Sequence, residues 1–155
     1  MENNARLLYL HLSIFYKYVS VNDEKLLLQE YKTKASTNIT VIDNVASSKE
    51  FYHTYDVMLV PLWSGSGLRI KLVEGLAYGK PIITTTIGAE GIAYTHNENL
   101  LIADNADDFA NAIVDVLQNP QLKQSLQTKA RLLAETNFDY KVIAKKLIAF
   151  CENLV

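Results

Sequence analysis

The residues best suited to chemistry lie within a dozen positions: Ser64, Gly65, Ser66, Gly67, Arg69, Lys71 and Glu74, in "WSGSGLRIKLVEGLAYGKP". Two glycines and two hydroxyls precede two cations and a carboxylate. A helix start leaves backbone N–H groups unpaired and carries partial positive charge. Glycines there remove the Cβ atoms that would hold a phosphate away. Ser64 and Ser66 add hydroxyl donors. On a wheel of 100° per residue, Gly67, Lys71, Glu74 and Tyr78 share one narrow sector. Leu68, Leu72, Val73, Leu76 and Ala77 cover the opposite side, and Arg69 falls among them, so it must snorkel or sit in a distorted first turn. Glu74, two turns down, would repel a phosphate bound at the loop; it suits a neighbouring diol, because a carboxylate accepts from two hydroxyls at once. A plainer reading uses the same residues: the Gly-Ser-Gly bend as a helix entry only, and Lys71–Glu74 as a surface ion pair. Spacing alone leaves both open.

Two familiar loops are excluded. No Gly-Lys-Ser/Thr follows at the distance a Walker loop needs. The dinucleotide fingerprint fails because Ile70 stands where its third glycine belongs.

The elements that must position these residues read as alternating strands and helices. "DVMLVPL" is a continuous apolar run, as expected of a parallel strand covered on both faces. A helix is expected from about Gly67 to Tyr78, stopped by Gly79 and Pro81. "PIITTT" and "NLLIA" read as strands. Ser47 or Ser48 caps a short helix at Glu50–Tyr55; Asp104 or Asn105 caps "DDFANAIVDVLQN"; Pro120 opens the next helix; and Asp139 starts a final amphipathic one. Upstream, Asn4–Tyr16 is expected as a helix, with strand as the alternative, Lys17–Val21 as a strand, "EKLLLQEYKTKA" as a helix and "NITVI" as a strand. This alternation predicts an α/β fold: a Rossmann-like parallel sheet with helices on both faces and right-handed crossovers. Ligands in such sheets bind beyond the carboxyl ends of the strands, where 63–67 falls.

Composition sets the bounds. The 155 residues are 49 % hydrophobic and 21 % charged, with formal net charge −2. That is one ordinary domain whose charge gives no reason to expect a nucleic-acid partner. The one cysteine, Cys151, is expected as a small core hydrophobe and fits a reducing cytoplasm. The apolar N-terminal stretch is interrupted by Arg6, His11 and Lys17 and is too short to span a bilayer, leaving the inner membrane surface as the alternative location. His11, His53, His96 and Cys151 are too scattered for metal spacing, and no metal or other cofactor is expected. Trp63 is read as sitting at the core rim.

The ordered set "Y-x-x-x-D-V-x-L-V-P", G-S-G-x-R-x-K-x-x-E, the Gly79–Pro81 turn, "GAEG" and "NLLIADNADDFANAIVDVLQNP" resembles the C-terminal domain of GT-B fold glycosyltransferases, in the group 1, family 4-like branch. The likeness runs from about Val41 to Asn137, with residues 1–40 matching poorly and 138–155 forming a C-terminal helix. It implies one half of a GT-B architecture that binds a nucleotide-sugar without a required metal and without nucleic acid. By the resemblance Glu74 holds the donor ribose, Ser64–Gly67 lies against the diphosphate with Lys71 near it, Asn44 and Val45 lie near the base, and Thr86–Gly91 lines the cleft near the transferred sugar. Two departures stand out. Relatives carry a glutamate eight positions before the ribose glutamate, where this chain has Ser66. The first strand of such a domain, with its basic residues, has no counterpart upstream. The chain therefore reads as incomplete, and its expected partners are an N-terminal acceptor domain or a separate chain supplying one, with a homodimer through exposed helices as a further option. The alternative function is a non-catalytic α/β binding or assembly module.

Overall fold

The computed structural model describes residues 7–9, as backbone, and 47–154. The expected strands Lys17–Val21 and "NITVI", the helix "EKLLLQEYKTKA", His11, Asn44 and Val45 lie outside the described residues. Four strands, β1 (Leu7–Tyr9), β2 (Val57–Val60), β3 (Ile82–Thr84) and β4 (Leu101–Ile102), form one parallel sheet in the order β1-β2-β3-β4. Leu7 pairs with Val57, Met58 with Ile82, and Ile83 with Leu101. The helix expected at Asn4–Tyr16 is thus a strand over Leu7–Tyr9. A parallel edge next to β2 is available there, and tertiary pairing overrides a weak local helical preference.

Five helices follow: α1 (Ser48–Thr54), α2 (Ile70–Ala77), α3 (Ala106–Gln118), α4 (Pro120–Asn137) and α5 (Tyr140–Glu152). Ser47, Asn105, Asn119 and Asp139 cap α1, α3, α4 and α5 by accepting from the N–H of Glu50, Asp108, Leu122 and Lys141. Each such cap satisfies a donor that the helix cannot, typically worth about 1 kcal/mol.

β2 shows why its sequence has no polar alternation. Met58 and Val60 join Tyr52, Leu72, Leu76 and Ile82 on one face of the sheet. Val57 and Leu59 join Ile83, Leu101, Phe109 and Val116 on the other. Both faces are covered, so every residue of the strand is buried, as parallel sheets require. Cys151 departs from expectation: it is exposed on α5. The helix buries no residue of its own and leaves Tyr140, Leu147, Ile148 and Phe150 open. A cysteine is buried only where its helix presents it to a core, and this helix does not.

α2 ends in a Schellman motif. Gly79, at φ +61°, donates to Leu76 O at 2.9 Å, and Lys80 donates to Gly75 O at 2.9 Å. This is the αL glycine the motif demands. The reversal carries Lys80 inward, 8 % exposed, where its ammonium donates to Tyr55 O at 2.7 Å. Burial depresses its pKa, against a raising influence from Asp56.

Gly75 sets how closely α2 lies on the sheet. A Cβ there would stand 2.4 Å from Met58 Sδ and 3.0 Å from Ile82 Cδ1, and neither side chain has any exposure. Gly75→Ala is therefore expected to lower unfolding stability by about 1–3 kcal/mol, the usual cost of overpacking, despite alanine's better helix propensity. Urea denaturation checks this; a stabilised variant would mean that α2 does not pack this tightly.

Candidate functional site

The chain leaves the carboxyl ends of β2, β3 and β4 in three loops, and hydrogen bonds knit them together. Thr84 Oγ1 donates to Val60 O at 2.9 Å, and the Thr85 hydroxyl donates to Leu62 O. Both threonines are buried; Thr85 supplies the Leu62 carbonyl with a donor, and Thr84 adds a second one to Val60 O, which also accepts from Leu62 N–H at 3.0 Å. Thr86 donates through its N–H and its hydroxyl to the two oxygens of Asp104, each at 2.7 Å. These bonds, the backbone one foremost, hold the Asp104 carboxyl below the usual aspartate range. Trp63 Nε1 donates to Asp104 O at 3.1 Å. Trp63 is 53 % exposed, so it stands at the rim and does not plug the core.

Within the first loop, Gly65 and Gly67 have φ of +116° and +86°. These left-handed conformations favour glycine and cannot continue a helix. The helix expected from Gly67 therefore begins three residues later, at Ile70, with Arg69 at the N-cap position. This resolves the misfit of Arg69 on the wheel: it lies outside the helix. Its Nη1 donates to Ser66 O at 2.8 Å, and Nη2 would stand 2.5 Å from a Cβ at Gly65. A side chain at 65 would thus displace the guanidinium that braces the bend from below. Ser64, Gly65, Ser66 and Gly67 are all exposed.

Of the expected apolar side, Leu72 and Leu76 are fully buried, whereas Leu68 lies ahead of the helix and is exposed. Lys71 and Glu74 are both exposed. They do not pair with each other: Glu74 Oε2 accepts from Tyr52 Oη at 3.1 Å. Tyr52 is 3 % exposed and stacks on Tyr78, with ring centroids 4.8 Å apart. Burial, with Glu74 beside it, pushes the phenol's pKa far up, so it stays a donor at any ordinary pH. Tyr52 thereby fixes one oxygen of Glu74 on a rigid support. This partner, on α1 and 22 positions away, has no signal in local spacing.

A second carboxylate reaches the loop from another quarter. Gly67 N–H donates to Glu90 Oε2 at 2.9 Å. Glu90 lies in the turn after β3, which is tied down by Gly88 N–H on Thr85 Oγ1 and by Ala89 N–H on Thr85 O. Of the other residues singled out by sequence, His53 is exposed with its ring edge on Tyr78. His96 Nδ1 accepts from Ile102 N–H at 3.0 Å, holding β4 and not facing the glycine loop. Two surface hollows of about 490 and 300 Å³ lie along α3 and its neighbours, lined by residues such as Asp115, Asn119 and Asn111; no residue of the glycine loop lines either. Among the described residues no three His, Cys, Asp or Glu side chains cluster closely enough to hold a metal ion, and no helix is long and apolar enough to cross a membrane.

The family model described as "Glycosyl transferases group 1" matches residues 17–119, more than half of the chain. This chain belongs to the group 1 glycosyltransferases. Its relatives include an uncharacterized 44.6 kDa protein in the cps region of Klebsiella pneumoniae, 26 % identical over 110 residues that make up 69 % of this chain and 28 % of that protein. The D-inositol 3-phosphate glycosyltransferase of Rhodococcus jostii is 29 % identical over 101 residues, 64 % of this chain and 22 % of the relative. The chain thus spans about a quarter of the length of the curated relatives it matches. Among solved structures it is similar to a glycosyltransferase from Rickettsia africae (TM-score 0.65, 21 % identity, 93 % of this chain and 38 % of that one). It is also similar to sucrose-phosphate synthase from Thermosynechococcus elongatus (TM-score 0.64, 22 % identity, 86 % of this chain and 34 % of that one). These likenesses establish the fold as that of a GT-B glycosyltransferase domain.

The Thr86–Asp104 pair gives a test of how the crevice is held. Asp104's folded pKa lies below its unfolded value, so its contribution is complete above the unfolded value, about 3.9, and is lost as pH falls through the folded one. Asp104→Asn is expected to be less stable than the wild type at pH 7, with a constant gap down to about pH 5 that closes under further acidification. Urea titrations at stepped pH read this; a gap that is unchanged at low pH would contradict it.

Proposed function

We propose that this chain is the donor-binding domain of a glycosyltransferase, which holds a nucleotide-sugar while its sugar passes to an acceptor hydroxyl, in glycan or polysaccharide synthesis. One observation carries the reading: at the carboxyl ends of a parallel sheet, the exposed residues Ser64–Gly67 and the exposed Lys71 stand on the same short segment as an exposed carboxylate, Glu74, which Tyr52 holds through one oxygen. The Rhodococcus relative, a glycosyltransferase by name, and the Klebsiella one from a cps region agree with it.

In this reading the amides and hydroxyls of Ser64–Ser66, with Lys71, face the diphosphate. Arg69 adds positive charge beneath the bend. Negative charge grows on the leaving phosphate as the anomeric bond breaks. Donors fixed in advance by Gly65, Gly67 and the Arg69 brace meet that charge without reorganising, which is the economical way to stabilise it. Glu74 accepts from the ribose hydroxyls. Asn44 and Val45 lie towards the base. No residue of this domain is assigned as general base. The acceptor and its base come from a second domain or a separate chain, because transfer needs the hydroxyl held against the anomeric carbon.

The chain by itself is therefore expected to bind nucleoside diphosphates without turnover. Titration of uridine and guanosine diphosphates against thermal stability is the test. One of them at 100 times its dissociation constant should stabilise the fold by about 2.7 kcal/mol. Glu74→Ala should weaken that nucleotide by about 1.5–3 kcal/mol, the worth of a hydrogen bond to a charged group, over and above the stability the unliganded fold loses with the Tyr52 Oη–Glu74 bond, which the variant's own unliganded melting curve measures. No response to either nucleotide, or a response indifferent to Glu74, would overturn the assignment.

A further inference from the structure

Glu90 is a carboxylate in a place where an anion-binding loop has least use for one. Its Oε2 accepts from Gly67 N–H at 2.9 Å, and no ion pair among the described residues neutralises it. Its backbone is not free to drift: Glu90 N–H donates to Ile87 O, and the flanking Ala89 and Ile92 are buried. Gly91, at φ +80°, turns the chain so that its Cα side lies against Leu68, where an added Cβ would meet Leu68 atoms at 3.5 Å. The two loops are therefore built in contact, and the Glu90 carboxylate is held at the Gly67 end of the bend.

Two ligand groups compete for the space around that carboxylate. A phosphate placed there would face a like charge within a few ångströms, a repulsion of about 1 kcal/mol in water and more as water is excluded. A neutral polyol meets no such opposition, because its hydroxyls donate to carboxylate oxygens. Oε2 is already anchored by the amide, so Oε1 is the oxygen left to accept.

We infer that Glu90 is a specificity-determining residue of the donor site: it closes the Gly67 end of the loop to phosphate and accepts a hydroxyl of the transferred sugar. This rests on the donor-site reading above. The diphosphate then lies towards Ser64–Ser66 and Lys71, and the sugar towards Glu90. The site acquires a direction, with charge at one end and hydroxyls at the other.

The experiment compares uridine and guanosine diphosphates with their hexose conjugates by calorimetric titration of the full chain, for the wild type, Glu90→Gln and Glu90→Ala. Glu90→Gln keeps an oxygen for the Gly67 amide and removes the charge; melting curves of both variants establish that they fold. In the wild type the conjugate is expected to bind more tightly than the bare diphosphate. In both variants the conjugate should weaken about tenfold, the loss of one hydrogen bond to a charged acceptor, and the bare diphosphate should hold or tighten. The inference is overturned if both ligands weaken equally, which would make Glu90 a loop brace. It is overturned too if the diphosphate tightens while the conjugate's preference is untouched, which would make Glu90 a place-holder for phosphate. A wild-type chain that binds none of the four probes defeats the donor-site reading itself, and this inference with it; binding followed by either of the preceding outcomes defeats the inference alone.

Discussion

Two buried hydroxyls hold this site together. β2 and β3 run parallel, and where their chains leave the sheet the Val60 carbonyl takes the Leu62 N–H while the carbonyl of the buried Leu62 needs a donor from elsewhere. Thr84 and Thr85 donate to those carbonyls. A buried carbonyl left unpaired, as that of Leu62 would be without Thr85, costs about 1–3 kcal/mol, so the two loops stay joined at their roots. The other features of the crevice build outward from that junction. Thr86, next in sequence, takes hold of Asp104 and draws in the loop after β4. Glu90, a turn later, reaches the Gly67 amide. The glycine bend is thus fixed at its root and its tip, and between these its amides and hydroxyls are exposed.

The electrostatics of the bend are layered. Backbone amides line it, Arg69 braces it from beneath, and Lys71 stands on the first turn of α2. Three carboxylates surround it, and each is managed differently. Asp104 is spent on Thr86. Glu74 is clamped through one oxygen by a phenol whose own ionisation burial suppresses. Glu90 is anchored through one oxygen by an amide. Both of these residues are exposed, and in each only one carboxylate oxygen has a partner among the described residues. A structural carboxylate would have both oxygens satisfied, as Asp104 does.

The sheet was largely legible in the sequence because burial on both faces forces runs such as "DVMLVPL", and the caps were legible because Ser47, Asn105 and Asp139 act locally. The glycine bend ahead of α2 was legible too, because Gly65 and Gly67 take the positive φ that such a bend needs. What the sequence concealed depends on contacts between distant residues. The wheel treated Gly67–Arg69 as helical, but positive φ at Gly65 and Gly67 delays the helix to Ile70. The Tyr52 clamp and the Glu90 bond span 22 and 23 positions, so no local pattern encodes them. The strand at Leu7–Tyr9 pairs with β2, and its sequence alone leaves helix and strand both open until that partner is known. Cys151 was read as core because free cysteines usually are; its exposure follows from a helix with no buried residue, a matter of tertiary placement.

The most direct test is a residue-resolved map of where a nucleotide sits. Backbone amide shifts of the isotope-labelled chain, followed during titration with uridine or guanosine diphosphate, locate the ligand without assuming its identity. Saturable shifts are expected at Ser64 through Gly67, at Lys71 and at Glu74, spreading to Glu90. Shifts confined to the hollows along α3, around Asp115 and Asn119, with the glycine bend silent, would contradict the account.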